Sequence, residues 1–319
     1  MAGNANYATA LLTMTLEKFL EKKAADAIFE DLALYEVLNA KGRVKRNLDG
    51  GSKIVTPLMY GKSTAVGSYS GYDLLDVSPQ EGFTNAEFEW KQYHVAVSIS
   101  GEEELKNAGE MAMLNLLENK WMQARLTLRD ELNTDAFGDG TGNESKDITG
   151  LALMVDSAGT YGNIPRATNS WWAAQETAVS AALQIEGANG MRRMYNDCAL
   201  GKGKMTPDLI LTDQDEYEAY EGLMAPYIRY TTGSEGNAVF SNDNLRFRKS
   251  TMFWDEACTA GVMYFLNTNV MTLAMRRDFS VRPFQTPPNQ DAKTALILWM
   301  GQLCAMNCRH LGKLTGLTD

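Results

Sequence analysis

The chain has 319 residues, 45% hydrophobic and 22% charged. That is ordinary for a soluble globular protein and long enough to bury a sizeable core without metals or disulfides. Its net charge of -10, from 30 Lys and Arg against 40 Asp and Glu, excludes a broadly basic surface that coats nucleic acid, because phosphate binding relies on cationic side chains.

Residues 7–40 read as a helix. Leu11, Leu12, Leu16, Phe19, Leu20, Ala24, Ala27, Ile28, Leu32, Tyr35 and Leu38 recur at spacings of three and four, and Gly42 is a good terminator. The first ten residues lack a charged stretch followed by an apolar core, so no secretory signal is expected, and no apolar run is long enough to span a bilayer. Lys41, Arg43, Lys45 and Arg46 form a small basic cluster. It reads as a solvated turn, with a contact to DNA or to an acidic neighbour as the alternative.

From 50 to 100 the texture changes. Ile54, Val55, Tyr60, Tyr69 and Tyr72 are spaced by Gly61, Gly67 and Gly71, and 83–90 and 94–100 read as the returning strand. Val95, Val97 and Ile99 alternate with small or polar residues. An isolated hairpin is marginal in water, so this excursion is expected to need a partner surface. Ser100 and Glu103 then match a capping box. A helix facing Leu105, Ala108, Ala112, Leu116, Leu117, Trp121, Ala124, Leu128, Leu132 and Ala136 inward runs to Phe137, roughly 55 Å at 1.5 Å per residue.

Residues 138–143, Gly-Asp-Gly-Thr-Gly-Asn, lack the strand before and the Gly-Lys-Ser/Thr after that a phosphate loop needs, and read as a flexible loop. Residues 177–200 read as a helix weakened by Gly187 and Gly190. Residues 208–212 read as a buried strand, and 213–224 as an acidic helix capped by Asp213. Residues 231–244 read as a loop. Strands are expected at 245–254, 262–267 and 270–276. Pro283, Pro287 and Pro288 suggest a linker, and 296–314 a terminal strand pair. The alternation marks a compact α/β or α+β unit.

Candidate chemistry is sparse. Cys198, Cys258, Cys304 and Cys308 are too few for a disulfide framework. If 296–308 is a strand, Cys304 and Cys308, four apart, share a face and would form a metal pair with His310 or simply be small buried hydrophobes; the spacing is not a familiar zinc pattern. The two histidines, His94 and His310, leave little for acid–base catalysis. Glu102, Glu103 and Glu104 would be metal ligands or a catalytic pair, but opposing a helix dipole explains them more simply. No catalytic, cofactor-binding or metal residue is assigned.

The order of parts, and the ordered motifs, resemble the tailed-phage major capsid proteins, whose shell fold is usually called the HK97 fold. The motifs are Lys53-Ile54-Val55-Thr56-Pro57-Leu58-Met59-Tyr60 with Tyr69-Ser70-Gly71-Tyr72-Asp73; Asp76-Val77-Ser78-Pro79-Gln80-Glu81 leading to Phe88-Glu89-Trp90-Lys91-Gln92; Ile99-Ser100-Gly101; Gly150-Leu151; Arg166-Ala167-Thr168-Asn169 with Trp171-Trp172; Pro207-Asp208-Leu209-Ile210; Met263-Tyr264-Phe265-Leu266-Asn267-Thr268; and Asn289-Gln290-Asp291-Ala292. They span nearly the whole chain. The resemblance implies an α+β fold with an N-terminal arm (1–49), an extended β-hairpin loop (50–98), a peripheral domain with a long spine helix (99–175), a compact axial domain (176–285) and C-terminal strands returning to the peripheral domain (286–319).

It also implies a subunit that assembles as pentamers and hexamers of an icosahedral shell. The partners implied are a portal protein, packaged double-stranded DNA read without sequence specificity, and no membrane. The location implied is the virion, after assembly in the host cytoplasm. Because the spine helix begins near 100, a separate scaffolding protein is expected in place of a cleaved segment. Lys53 and Lys62 lie in the loop, but no acid can be assigned as catalyst for cross-linking. Tyr69, Tyr72 and Trp90 are the candidate assembly contacts, aromatics being enriched at interfaces; packing within their own chain is the alternative. Two other readings stand beside the capsid one: a cellular encapsulin-like compartment shell of the same fold, and an unrelated soluble α/β enzyme.

Overall fold

The computed structural model describes residues 33–46, 48, 51–106, 110–199, 205–224 and 245–318. In chain order these form α1 (Ala33–Ala40), β1 (Val44–Lys45), β2 (Lys53–Met59), β3 (Phe83–Glu89), β4 (Lys91–Ser100), α2 (Gly101–Lys106) and α3 (Glu110–Phe137). Then come α4 (Leu151–Met154), β5 (Thr160–Tyr161), β6 (Ile164–Pro165), β7 (Gln175–Ala181), α5 (Met191–Cys198), β8 (Leu209–Thr212) and α6 (Gln214–Met224). The chain ends with β9 (Arg246–Phe247), β10 (Ser250–Trp254), β11 (Met263–Leu266), β12 (Met271–Gln285), β13 (Ala292–Ala305) and β14 (Gly312–Leu317).

Helix α1 is the described end of the expected 7–40 helix; the rest of that span, like the 231–244 loop, lies outside the described residues. Its stop is a Schellman motif. Gly42 sits at φ +65°, which only glycine adopts freely, and the Arg43 and Gly42 amides donate to the Leu38 and Asn39 carbonyls at 2.8 and 2.9 Å. Leu34, Tyr35 and Leu38 are buried beneath it.

The basic cluster after the helix is largely exposed, as expected of a solvated turn, yet three of its four side chains also reach partners within the chain. Lys41 Nζ lies 2.6 Å from Asp208 Oδ2, Arg43 donates to Asn269 Oδ1 at 2.8 Å, and Arg46 donates to the Tyr35 hydroxyl at 2.6 Å. These contacts, with the parallel pairing of β1 to β12, fasten the segment to its own body.

Two sheets organise the rest. A four-stranded sheet has the order β1-β12-β13-β4, and a six-stranded one β7-β14-β11-β8-β10-β9. Strand β4 pairs with β13 over its whole length, from Ala292↔Ser100 to Gly301↔Lys91. Residues 91–98 therefore belong to the body, and the excursion proper is β2, β3 and the 60–82 segment between them. The expected terminal strand pair is also divided: β13 lies in the four-stranded sheet and β14 in the six-stranded one. Pro283 sits inside β12, where a register shift between Arg282 and Gln285 accommodates its missing amide.

Residues 175–181 are a strand, not the start of a helix. Thr177 and Val179 favour extended backbone, and parallel pairing with β14 decides the outcome. Only Met191–Cys198 is helical, after a turn at Gly187 with φ +104°.

The six-stranded sheet divides two cores. Leu209, Leu211, Tyr264 and Leu266 face the larger core, while Ile210, Met263 and Phe265 face a smaller one closed by α5 and α6. Strand alternation alone makes that division.

The capping box at Ser100 is present. Glu103 N donates to Ser100 Oγ and Ser100 N to Glu103 Oε2, each at 3.2 Å. Lys120, 2.7 Å from the same carboxylate, holds the Glu103 carboxyl below its usual range, with the Ser100 amide adding to the effect. Ser100→Ala is expected to lower stability by about 1 kcal/mol, read as a fall in the urea midpoint. Because the Glu103 pKa is depressed in the fold, its contribution is present above the unfolded carboxylate pKa and fades as pH falls through the folded value.

Helix α3 spans 28 residues, about 42 Å, and buries Trp121, Ala124, Leu128, Leu132 and Phe137. Residues 107–109 lie outside the described residues. Past the end of α3, the chain at Gly150 packs against the helix terminus. A Cβ on Gly150 would stand 2.3, 2.5 and 2.6 Å from the carbonyl oxygens of Asp135, Ala136 and Gly138, so only glycine lets the chain pass the helix terminus.

Beside it, the Tyr93 hydroxyl donates to Asp135 Oδ2 at 2.6 Å and accepts from Ile148 N at 2.8 Å. Burial raises the Asp135 pKa, and Asp147 and Glu131 push the same way while the Tyr93 bond opposes them. The fold therefore disfavours the ionised form. Asp135→Asn, which keeps an acceptor for Tyr93, is expected to raise the melting temperature at pH 7. The gain should shrink as pH falls through the raised pKa and vanish below the unfolded one.

Candidate assembly interface

The root of the excursion is built into the body. Leu58, Ala86 and Phe88 are buried on one face of the β2–β3 ladder. Glu87 N donates to Gly162 O at 3.0 Å. Gly162, at φ +60°, lies so close to Ala86 and the Phe88 ring that an added Cβ would meet them at 3.0 and 3.1 Å. A chain of rings runs from the loop into the core. Tyr60 stacks on Trp171 at 5.2 Å, Trp171 meets Trp172 at 5.8 Å, Trp172 meets Tyr161 at 6.1 Å, and Tyr161 meets Phe88 at 5.0 Å. Such pairs add about 0.5–1.5 kcal/mol each beyond their buried area.

Beyond the root, cover ends. Residues 60–82 form no strand ladder, and their large apolar side chains face water. Tyr72 and Leu74 are fully exposed, at 104% and 101%, and Val66, Val77 and Phe83 exceed three-quarters. A patch of this kind marks an interaction surface. It also carries Asp73, Asp76 and Glu81 against a single Lys62. The acids cap local turns: Asp73 Oδ2 accepts from Ser70 N and Asp76 Oδ1 from Ser78 N.

Of the candidate contacts, Tyr69 and Tyr72 lie in this exposed segment. Trp90 does not. It is half-buried between β3 and β4, and its indole N–H is shielded from water without an acceptor among the described residues. Leu74, Leu75, Val77 and Phe83 belong with the tyrosines and were not singled out by sequence. Their signal was apolar residues without either helical or strand period.

The residues considered for chemistry are not brought together. His310 Nδ1 lies 3.0 Å from the Cys198 carbonyl, while Cys308 Sγ contacts Arg166 at 3.8 Å. Among the described residues no group of three His, Cys, Asp or Glu side chains is placed to share a metal ion. Burial pushes the Cys198, Cys258, Cys304 and Cys308 thiols up to about 12, the behaviour of packed hydrophobes, not nucleophiles. A cleft of about 290 Å³ beside the loop root is lined by Lys53, Glu87, Glu89, Lys91, Tyr161 and Gln302, among others; Lys53 and Glu87 pair there at 2.9 Å. No described helix is long and apolar enough to cross a membrane.

Solved structures match across nearly the whole chain. The cyanophage A-1(L) capsid asymmetric unit aligns with a TM-score of 0.67 at 15% identity, over 87% of this chain and 91% of that one. The chain has the HK97 shell fold. A capsid of a native GTA particle aligns at TM-score 0.53 and 12% identity, over 88% and 90% of the two chains. The holo-SrpI encapsulin complex of Synechococcus elongatus PCC 7942 aligns at 0.54 and 8%, over 88% and 87%. No protein-family model and no curated protein matches the sequence.

Proposed function

We propose that this chain is the structural, non-enzymatic subunit of a tailed-phage head, assembling as pentamers and hexamers into an icosahedral shell around the genome. The observation that carries the reading is the loop. An excursion rooted in the body whose Tyr72 and Leu74 are fully exposed is unfavourable for a lone monomer and would find cover on adjoining copies. Tyr69 and Tyr72 are its leading contacts; Trp90 serves at the loop's root. The domain boundaries proposed are those of the sequence reading: arm 1–49, loop 50–98, peripheral domain 99–175, axial domain 176–285 and returning strands 286–319, with residues 91–98 pairing into the body sheet. A separate scaffolding protein, a portal and double-stranded DNA are the partners proposed. A net charge of -10 suits a wall that does not hold DNA tightly. The location proposed is the virion, after assembly in the host cytoplasm.

Negative-stain microscopy of the expressed protein, with its scaffold if needed, tests this. Closed shells are expected, and a persistently compact monomer under all such conditions would overturn it. The similarity to an encapsulin supports a second reading, a cellular compartment shell. A cargo enzyme encoded nearby would favour that reading, and packaging genes nearby would favour the phage one.

A further inference from the structure

Asn189 and Gly190 form the one Asn-Gly pair in the chain, and they stand where it turns into α5. The amides of Met191 and Arg192 bond back to the Gln184 and Ile185 carbonyls at 2.9 and 3.1 Å, which closes 186–190 into a loop. Asn189 is exposed on that loop, and its side chain has no hydrogen-bond partner among the described residues. Gly190 is buried. A Cβ there would stand 2.6 Å from the Glu186 carbonyl oxygen and 3.0 Å from that of Gln184, so the position takes only glycine. Packing thus fixes, behind an exposed asparagine, the residue whose amide nitrogen is least hindered by a side chain. That amide is weakly held, its bond to the Gly187 carbonyl being 3.4 Å long.

We infer that Asn189 is a site of spontaneous deamidation, which places a new carboxylate at the entrance to α5. The Gly190 nitrogen attacks Asn189 Cγ and gives up its proton. The bond from Cγ to the side-chain nitrogen breaks, and ammonia leaves with that proton. Water then opens the cyclic imide at either carbonyl, giving aspartate or isoaspartate. The net change consumes one water and releases one ammonia, with no oxidant or cofactor. Similar pairs elsewhere are guarded. Asp139 precedes Gly140, but its Oδ1 accepts from the Thr141 amide and hydroxyl at 2.9 and 2.7 Å, and these bonds hold the carboxyl below its usual range, ionised and resistant to attack. Asn169 precedes Ser170, but its side-chain nitrogen donates to Pro165 O and Thr168 Oγ1 at 3.0 and 3.1 Å. The product supplies what α5 lacks. Its N-cap, Gly190, brings no capping side chain, and its first turn holds no acid. Arg192 and Arg193 stand in that turn against the helix dipole, and Glu186 is already engaged with Arg192 at 2.8 Å. Helix α5 closes the smaller core with Met191, Met194, Tyr195 and Cys198, so a carboxylate at 189 in the aspartate form fastens that closure as the protein ages.

Peptide mapping tests it. The purified protein is held at mildly alkaline pH in heavy-oxygen water, digested and analysed by mass spectrometry. The peptide that contains Asn189 is expected to change from amide to acid and to carry one heavy oxygen, ahead of every other asparagine. Asn189→Gln, whose longer side chain closes the ring poorly, should stay unchanged through the same incubation. Asn189→Asp, which carries the charge from the start, is expected to melt about 1–3 °C above wild type. An Asn189 that stays intact while a synthetic peptide of residues 184–193 converts, or that converts no faster than the other asparagines, overturns the site. Asn189→Asp melting at or below wild type overturns its effect on α5. Both readouts are independent of whether particles form, so their failure leaves the shell reading intact.

Discussion

Replacing Tyr72 and Leu74 by serine should leave the monomer folded and abolish particles. Both side chains are fully exposed, and neither belongs to a core, so the melting temperature of the variant is expected to stay within about 2 °C of wild type. Assembly should respond very differently. Burying one large apolar side chain contributes about 1.5–3 kcal/mol, so losing two costs roughly 3 kcal/mol or more per contact, about 10²-fold in association. A shell repeats each contact in every subunit, so the deficit multiplies. Sedimentation and calorimetry on the same sample read the two effects separately. Wild-type particle yield from the double variant would count against the loop as the assembly element.

The second large effect belongs to Arg166, which is 2% exposed. Its guanidinium donates to the carbonyls of Leu153, Met154 and Ala158 at 2.8, 2.8 and 3.0 Å and lies 5.3 Å from the centre of the Tyr161 ring. No carboxylate pairs with it among the described residues. The carbonyls of Leu153 and Met154, left without helical partners at the end of α4, and that of Ala158 beyond it stand in for a counter-ion. Arg166→Ala would strand three buried acceptors and open a void beneath the Tyr161 ring. A loss of about 3–5 kcal/mol is expected, enough to leave little folded protein at 37 °C. Arg166→Lys keeps the charge but cannot span three acceptors with a planar fork, and should recover only part of it. Equilibrium urea unfolding of the two variants against wild type measures both.

Much of the architecture was legible because local chemistry and tertiary context agree. Ser100 and Glu103 announce the spine helix, Asp213 caps α6 through the Glu216 amide at 3.2 Å, and the strict alternation at Val95, Val97 and Ile99 declares a half-buried strand. Reading failed where long-range pairing decides. The segment at 175–181 is a strand because β14 lies beside it, a partner more than a hundred residues away. Pro283 looked like punctuation but occupies a strand that tolerates it through a shift in register. The basic cluster after α1 is exposed as read, but its partners Asp208 and Asn269 went unseen because they are far off in sequence. In the candidate interface, the tyrosines were visible as aromatics between glycines. Leu74, Leu75 and Val77 were not, since they follow neither a helical nor a strand period and only their exposure groups them with the tyrosines.

Alternation along β13 fixes how the sheet pairs. Odd-numbered positions from Ala295 to Trp299 build the interior, and their even-numbered neighbours are only partly covered. A pairing slip of one residue would exchange the two sets at a stroke, turning Trp299 outward and Leu298 inward. Burial of Ala295, Ile297 and Trp299 on one side of the strand thus selects a single pairing for the sheet, and with it the placement of every side chain on β4 and β12.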